Sequence, residues 1–211
     1  MSLVETFWQY AKPEAKFTKD QLRAEVSEAY EGIVQALATT FACDPETLDK
    51  SLGGSTHCVT GCFAYDYAVN GCLNLDALSF NHIDESFLDY LAFLTQAQNA
   101  NEFYAEGCVP SANKHIALMA LVRFKLDEDT HPDWEDEYTP TVYQNLSCGV
   151  LTLKEIALLA QMTEKAVRNA TQPNAPDRLY TLKQGARTVV DSHEALRWLT
   201  GRRNFTPTSI N

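Results

Sequence analysis

The side chains best suited to specific chemistry lie close together in the last third of the chain, where Arg168 and Asn169 are adjacent and Lys165 precedes them. An arginine guanidinium can donate two hydrogen bonds to O6 and N7 of guanine, and an asparagine carboxamide can pair with N6 and N7 of adenine. Lysine can contact a base or a phosphate, and the hydroxyl of Thr163 can donate to a phosphate. Glu164 lies four residues before Arg168, so an ion pair on the surface of a helix is the alternative use of that arginine.

A helix over residues 163–171 would hold these polar side chains on one face. Ala166, Val167 and Ala170 recur at helical spacing and form the opposite, apolar face. Thr163 precedes this stripe and is the expected N-cap, because a threonine hydroxyl can accept a hydrogen bond from a free amide in the first turn of a helix.

A second short helix is predicted immediately before it. Thr152 and Glu155 have the spacing of a capping box, in which each side chain accepts from the backbone amide of the other. Ile156, Leu159 and Ala160 then form an apolar stripe. Two helices this short cannot bury their stripes separately, so they are expected to pack on each other and on a third element.

A β-hairpin and a further helix are predicted after these two helices. The stretches 179–182 and 187–190 read as strands, and Gly185 lies at the turn between them. Asp191 and Glu194 then have the spacing of another helix cap, so a helix is expected to begin after Asp191.

The order helix, helix, hairpin, helix between Val150 and Arg203 resembles the winged helix-turn-helix of phage excisionases and of mercury-responsive regulators. In those families the second helix enters the major groove of DNA, and the hairpin, or wing, touches the DNA backbone. Gln161 stands where these families often have glycine in the turn between the two helices. The residues that carry the resemblance, all with the family spacing, are Ile156, Ala157, Ala160, Met162, Val167 and Ala170.

The resemblance implies a DNA interface made by the second helix together with the wing. Lys183 and Arg187 flank the wing tip, where they suit phosphates or the minor groove. Arg202 and Arg203 follow the last helix, either as a clamp on the DNA backbone or as solvated side chains of a tail that packs through Phe205. The complete set of expected DNA-binding residues is Thr163, Glu164, Lys165, Arg168, Asn169, Lys183, Arg187, Arg202 and Arg203.

The distribution of charge favours two parts with different partners. Residues 1–150 carry 8 basic residues against 23 acidic ones, a net charge of −15, whereas residues 151–211 carry 9 against 5, a net charge of +4. The alternative is a solvated acidic surface with a chance cluster of basic residues. We expect a mainly α fold, with an acidic helical domain over 1–138 and a winged helix-turn-helix domain with a small β-hairpin over 139–211.

Most of the acidic body is predicted to be helical. Asn70 and Gly71 form a turn sequence with alternating apolar residues on both sides, which predicts a hairpin, and a helix over residues 62–69 is the alternative. The acidic run over residues 127–138 predicts a linker. The expected helices begin at Thr18 and end near Ala42, run from Pro45 through Leu52, follow Asp84, and begin again at Pro110–Ser111.

The cysteines of the body do not have the spacing of a zinc site. Cys58 and Cys62 are separated by three residues, and Cys72 has no near partner, so all three are expected to pack as small apolar side chains. The sequence contains no Gly-rich phosphate loop, paired-histidine motif or nucleophile elbow. We therefore expect no metal, no cofactor and no enzymatic activity.

The function favoured by these features is sequence-specific binding of double-stranded DNA, as in a transcriptional regulator. A homodimer is expected by analogy, because helix-turn-helix proteins often read two half-sites. No residue of the body identifies an effector. The alternative is a winged module that binds a protein partner.

The cytoplasm is the expected location. No apolar stretch is long enough to span a membrane, and the N-terminus lacks the basic start and apolar run of a signal peptide. The six cysteines are therefore expected to be reduced.

Overall fold

The structure, a computed structural model, describes residues 3–74, 83–134 and 149–210 and is mainly helical, as predicted. The helices are α1 (Leu3–Phe7), α2 (Lys19–Phe41), α3 (Pro45–Leu52), α4 (His57–Asn70), α5 (Ile83–Tyr104), α6 (Ser111–Thr130), α7 (Leu153–Leu159), α8 (Glu164–Ala170) and α9 (Ser192–Thr200), with a 3-10 turn at Trp8–Tyr10. The strands are β1 (Cys72–Leu73), β2 (Val150–Thr152), β3 (Leu182–Gln184), β4 (Arg187–Asp191) and β5 (Ser209–Ile210).

The first two predicted helices of the body are confirmed, together with their caps. The Thr18 hydroxyl accepts from the Gln21 amide at 3.2 Å, and the Gln21 side chain accepts from the Thr18 amide at 2.9 Å, which closes the capping box of α2. Asp44 caps α3 by accepting from the amide of Thr47 at 2.8 Å. These local hydrogen bonds fix where both helices begin.

The predicted hairpin around Asn70–Gly71 is wrong, and the helical alternative is correct. Helix α4 continues to Asn70, and Gly71 then adopts a left-handed φ of 67° as its C-cap. A side chain at this position would meet the carbonyl oxygens of Thr206 and Pro207 within 2.7 Å, so glycine is required there by close packing as well as by backbone conformation. The alternation of apolar residues arises because α4 packs against α2, α5 and α6 at once.

Helix α6 lies at the centre of the molecule and is buried from Ala112 to Asp127. It packs against α1, α2, α4 and α5 of the acidic body and against α7 and α9 of the C-terminal part. A helix with neighbours on every side must bury its polar residues as well as its apolar ones, and each buried polar group then requires a partner.

The buried pair Arg123 and Asp127 joins α6 to the end of the described chain. The Arg123 guanidinium donates to the carbonyl of Ala68 at 3.2 Å, to that of Thr206 at 2.8 Å and to the hydroxyl of Thr208 at 3.1 Å. Asp127 accepts from the hydroxyls of Thr208 and of a buried tyrosine of α4, Tyr67, each at 2.6 Å. Burial raises the pKa of Asp127, and the charge of Arg123 opposes that shift.

A short parallel strand pair continues this connection. Strand β5 pairs with β1, with Ser209 opposite Cys72 and Ile210 opposite Leu73. Residues 206–210 are therefore held both by backbone pairing and by the buried charges of α6.

The beginning of the predicted acidic linker is instead the last part of α6. Asp127 is buried, and Asp129 accepts from the amide of Gly149 at 2.7 Å and from the hydroxyl of Ser192 at 2.5 Å. These partners explain why carboxylates occur here in a helix rather than in a solvated loop. The remainder of the run from residue 135, the predicted short helix at 142–146 and the predicted domain boundary lie outside the described residues.

A second buried ion pair connects α6 to α7. The Lys125 ammonium group lies 3.0 Å from a carboxylate oxygen of Glu155, and the two side chains are 7% and 13% exposed. The same carboxylate accepts from the Thr152 amide at 2.6 Å, and the Thr152 hydroxyl accepts from the Glu155 amide at 3.2 Å. The predicted capping box of α7 is confirmed, and one of its members also holds α7 against α6.

Replacement of Arg123 by methionine is expected to lower the free energy of unfolding by about 3–5 kcal/mol, because it leaves the carboxylate of Asp127 buried without its cation. Urea unfolding followed by circular dichroism measures the change. Arg203→Met, at an exposed position, serves as the control and should change stability by less than about 0.5 kcal/mol. Equal stability of the two variants would contradict the role given to Arg123.

The buried histidine of α6, His115, is expected to make stability depend on pH. Its Nδ1 accepts from the amide of Lys12 at 3.1 Å, and burial lowers its pKa to about 4. The unfolded chain takes up this proton near pH 6.5, so stability should fall as the pH drops from about 6.5 towards 4, by at most about 3 kcal/mol.

Urea unfolding of the wild type and of His115→Gln at pH 7, 6 and 5 isolates this contribution, because a glutamine carbonyl can still accept from the Lys12 amide. The free energy of unfolding of the wild type should fall more steeply with acidification than that of the variant. Parallel curves would show that His115 is not responsible.

Candidate nucleic-acid interface

The turn between α7 and α8 has the geometry needed for two short helices to cross closely. Gln161 adopts a left-handed φ of 51°, a conformation more typical of glycine, and its side-chain amide donates to the carbonyl of Asn204 at 3.2 Å. Thr163 caps α8 as predicted, because its hydroxyl accepts from the amide of Ala166 at 3.1 Å. The predicted helix over 163–171 is thus confirmed, with α8 beginning at Glu164.

The apolar stripe of α7 is buried as expected, whereas in the stripe of α8 Val167 is buried and Ala166 and Ala170 are only partly buried. Ile156, Leu159 and Val167 are fully buried, and Ala157 is 1% exposed where α7 and α8 meet. The predicted third element is present as both α6 and α9, which pack against α7. This packing leaves the opposite face of α8 in solvent.

The predicted hairpin is confirmed, but its first strand is displaced along the chain and covers Leu182–Gln184 instead of 179–182. Strand β4 is antiparallel to β3, with Gln184 opposite Arg187, and Gly185 at the turn has a φ of 60°. The first strand begins at Leu182 instead of Leu179, because the Leu179 amide donates to the carbonyl of Ala170 at the end of α8. The sequence did not predict β2, which pairs with β4 on its other side.

The cap of α9 is confirmed in part. The Asp191 side chain accepts from the amides of His193 and Glu194, as predicted. The carboxylate of Glu194 instead accepts from the amide of Tyr180 and from the guanidinium of Arg197, and it does not complete a capping box. These contacts fix the segment before the hairpin against α9.

One groove brings the exposed face of α8 and the hairpin together. It has a volume of about 520 Å³ and lies between Arg168 of α8 and Arg187 of β4. Lys154 of α7 also lines it, so among the described residues three cations share the groove with one carboxylate, that of Glu164. The threonine hydroxyls that complete the polar lining belong to Thr152, Thr171 and Thr188.

The predicted residues of α8 are exposed on one side of the helix. The guanidinium of Arg168 lies 2.7 Å from the carboxylate of Glu164, with the side chains 65% and 45% exposed, so the predicted alternative ion pair is present in the structure. A pair this exposed contributes only about 0.3–0.5 kcal/mol and leaves Arg168 able to exchange partners. The others, all exposed, are Thr163, Lys165 and Asn169.

The two arginines after α9 occupy different environments. Arg202 pairs with the carboxylate of Asp177, donates to the carbonyl of Trp198 at 3.1 Å and stacks on the indole ring at 4.2 Å. Arg203 is exposed, and Phe205 is 5% exposed and packs on the core. Arg202 is therefore engaged in contacts within the protein, whereas Arg203 is at the surface. Lys183 and Arg187 of the hairpin are also exposed.

Lys154 is the cation of this surface that the sequence did not identify. Its ammonium group lies 4.1 Å from the ring centre of Trp8, a cation–π contact that orients the side chain beside the groove. Lys154 lies in the first turn of α7, two residues after the Thr152 cap, and this position in the sequence could have identified it. The contribution of Trp8, from the N-terminal segment, could not be anticipated.

Three of the six cysteines line a separate cleft. Cys58, Cys62 and Cys72 are partly buried there beside Arg23, and burial raises the pKa of Cys58. Across the described residues, histidine, cysteine and acidic side chains form no group of three placed to hold a metal ion. The cleft shares no lining residue with the groove at α8.

No protein-family model, curated protein or solved structure matches the chain. Among the helices of the described ranges, none is long and apolar enough to cross a membrane.

Replacement of Thr163 by alanine is expected to destabilise the protein by about 1 kcal/mol, because the hydroxyl that accepts from the Ala166 amide is lost. Thr163→Asn is the matched control, since asparagine provides an equivalent acceptor, and it should be close to the wild type. Urea unfolding distinguishes the three proteins. If alanine and asparagine were equally well tolerated, Thr163 would not act as the cap of α8.

Proposed function

We propose that the chain is a non-enzymatic, sequence-specific DNA-binding protein that regulates transcription. Residues 150–203 act as a winged helix-turn-helix in which α8 enters the major groove and the β3–β4 hairpin is the wing. The observation that carries this proposal is the common groove of Arg168 and Arg187, because it places a helix and a hairpin on one cationic surface. This arrangement allows DNA to contact both elements from the same side.

Base recognition is assigned to the exposed face of α8. Arg168 and Asn169 are adjacent, exposed and suited to bidentate contacts with guanine and adenine. Lys165 reads a base or holds a phosphate, and the exposed Thr163 donates to a phosphate. In the free protein Glu164 holds Arg168 in an ion pair, and on DNA binding Arg168 leaves this pair to contact a base.

Phosphate contacts are assigned to cations that surround this face. Within 149–210, the carboxylates of Glu155, Glu164, Asp177 and Glu194 form ion pairs, and Asp191 caps α9. Carboxylates engaged in this way compete less with DNA for the remaining cations. The exposed cations of this part that form no ion pair with a described residue are Lys154, Lys165, Lys183, Arg187 and Arg203.

A protein-interaction module is the second candidate, and two exposed apolar side chains favour it. Tyr180 and Leu182, before and within β3, are 60% and 55% exposed. Exposed aromatic and aliphatic groups at a sheet edge suit contact with a protein partner. Such an interface would be far less sensitive to salt than a phosphate interface, and this difference separates the two functions.

A fluorescence titration against random duplex DNA at about 50 and 200 mM salt tests the proposal, since each neutralised phosphate contributes about 0.9 to the slope of log K against log salt. The wild type is expected to bind at low salt and to lose most of its affinity at the higher concentration. Arg187→Ala should reduce the slope by about one. Lys50→Ala, at an exposed position of α3, is the control and should leave the slope unchanged.

Selection of a preferred site, followed by substitution of Arg168 with alanine, tests base recognition. The variant is expected to lose about 1–3 kcal/mol of discrimination at one base pair, because a bidentate contact is removed. Unchanged preference would exclude Arg168 as a base reader. A folded wild-type protein that does not bind at micromolar concentration would exclude DNA binding and favour the protein-interaction module.

A further inference from the structure

A cleft of about 230 Å³ lies where the body meets the turn between α7 and α8. Its apolar walls come from Phe17, Val69 of α4, and Ile116 and Met119 of α6. Gln161 of the turn lines the same cleft. An occupant would therefore contact both the acidic body and the two-helix unit proposed to bind DNA.

The cleft contains a hydrogen-bond donor held in a defined orientation. His115 lines the cleft, and its Nδ1 accepts from the amide of Lys12, which places the proton of the neutral ring on Nε2. This Nε2 forms no hydrogen bond with a residue in the described ranges, although the side chain is only 1% exposed. Burial lowers the pKa of His115 to about 4, so the ring is a neutral donor near pH 7.

The charge of the cleft is opposite to that of the whole chain. The chain has a net charge of −11, but no aspartate or glutamate of the described ranges lines this cleft. Lys16, which is exposed, is the charged side chain of its lining. An anionic group would therefore meet a cation and a neutral N–H donor without a competing carboxylate.

The volume and the apolar walls limit the rest of the ligand. An apolar cavity of about 150 Å³ can hold benzene, so 230 Å³ accommodates one six-membered ring with a small substituent. We infer that the cleft binds a small aromatic carboxylate, with its ring against Phe17, Ile116 and Met119 and its carboxylate towards His115 and Lys16.

The contact with Gln161 makes this site a candidate effector site, because Gln161 holds the left-handed turn that orients α8. The effector role rests on the proposed DNA binding, whereas the ligand site does not. A titration of the DNA-free protein therefore tests the site separately, and its failure would leave the DNA-binding result unchanged.

Calorimetric titration of the full chain with sodium benzoate is the first test. Benzyl alcohol has a similar shape without the charge, and acetate has the charge without the ring. Benzoate is expected to bind saturably and about tenfold more tightly than benzyl alcohol, because a charge-assisted hydrogen bond is stronger than a neutral one. Acetate is expected not to saturate.

Lys16→Gln and Lys50→Gln form the matched pair of variants, since both lysines are exposed and only Lys16 lines the cleft. The first should weaken benzoate binding about fivefold and leave benzyl alcohol unaffected, and the second should change neither. The imidazole nitrogen resonance of His115 should shift during the benzoate titration. No saturation with benzoate, equal behaviour of the two variants, or an unmoved His115 resonance would each overturn the assignment.

Discussion

Two opposite charges buried one turn apart on α6, Arg123 and Asp127, set the main constraint on this fold. Burial of either ion costs several kcal/mol unless hydrogen bonds replace its water. Those bonds come from α4, through Tyr67 and the Ala68 carbonyl, and from residues 206–208 beyond α9. The full set of these hydrogen bonds forms only when the body and the C-terminal part are packed together, and Nη2 of Arg123 has no hydrogen-bond partner among the described residues.

This constraint also determines how the candidate interface is presented. The pair Lys125–Glu155 and the bond from Ser192 to Asp129 hold α7 and α9 on α6, so their apolar faces point inward. Helix α8 contacts α7 and keeps its polar face in solvent beside the hairpin. A rigid scaffold that holds polar side chains on one open surface is what recognition of a defined partner requires.

Local signals in the sequence were sufficient for most elements. The caps at Thr18, Thr152 and Thr163 act as predicted, because each involves partners three residues away. Asn70–Gly71 was misread because the same two residues serve a hairpin turn or a helix C-cap, and only packing against residues 206–207 distinguishes them.

The relative positions of the site residues depend on contacts between segments that are distant in the sequence. The sequence therefore did not predict them. The expected exposure of Arg168 followed from helical periodicity, and that of Arg187 followed from its place beside the predicted wing tip. Their convergence on one groove depends on how α8 crosses α7 and where β4 pairs with β2. The engagement of Arg202 by Asp177, and of Lys154 by Trp8, depends on residues distant along the chain.

Hydrogen exchange of the full chain, with and without saturating duplex DNA at low salt, would locate the DNA interface. Slower amide exchange is expected in residues 163–172 and 182–191, and unchanged exchange in α2 and α3. Slowing confined to α2 and α3, or no slowing at all with a folded protein, would contradict a DNA interface formed by α8 and the hairpin.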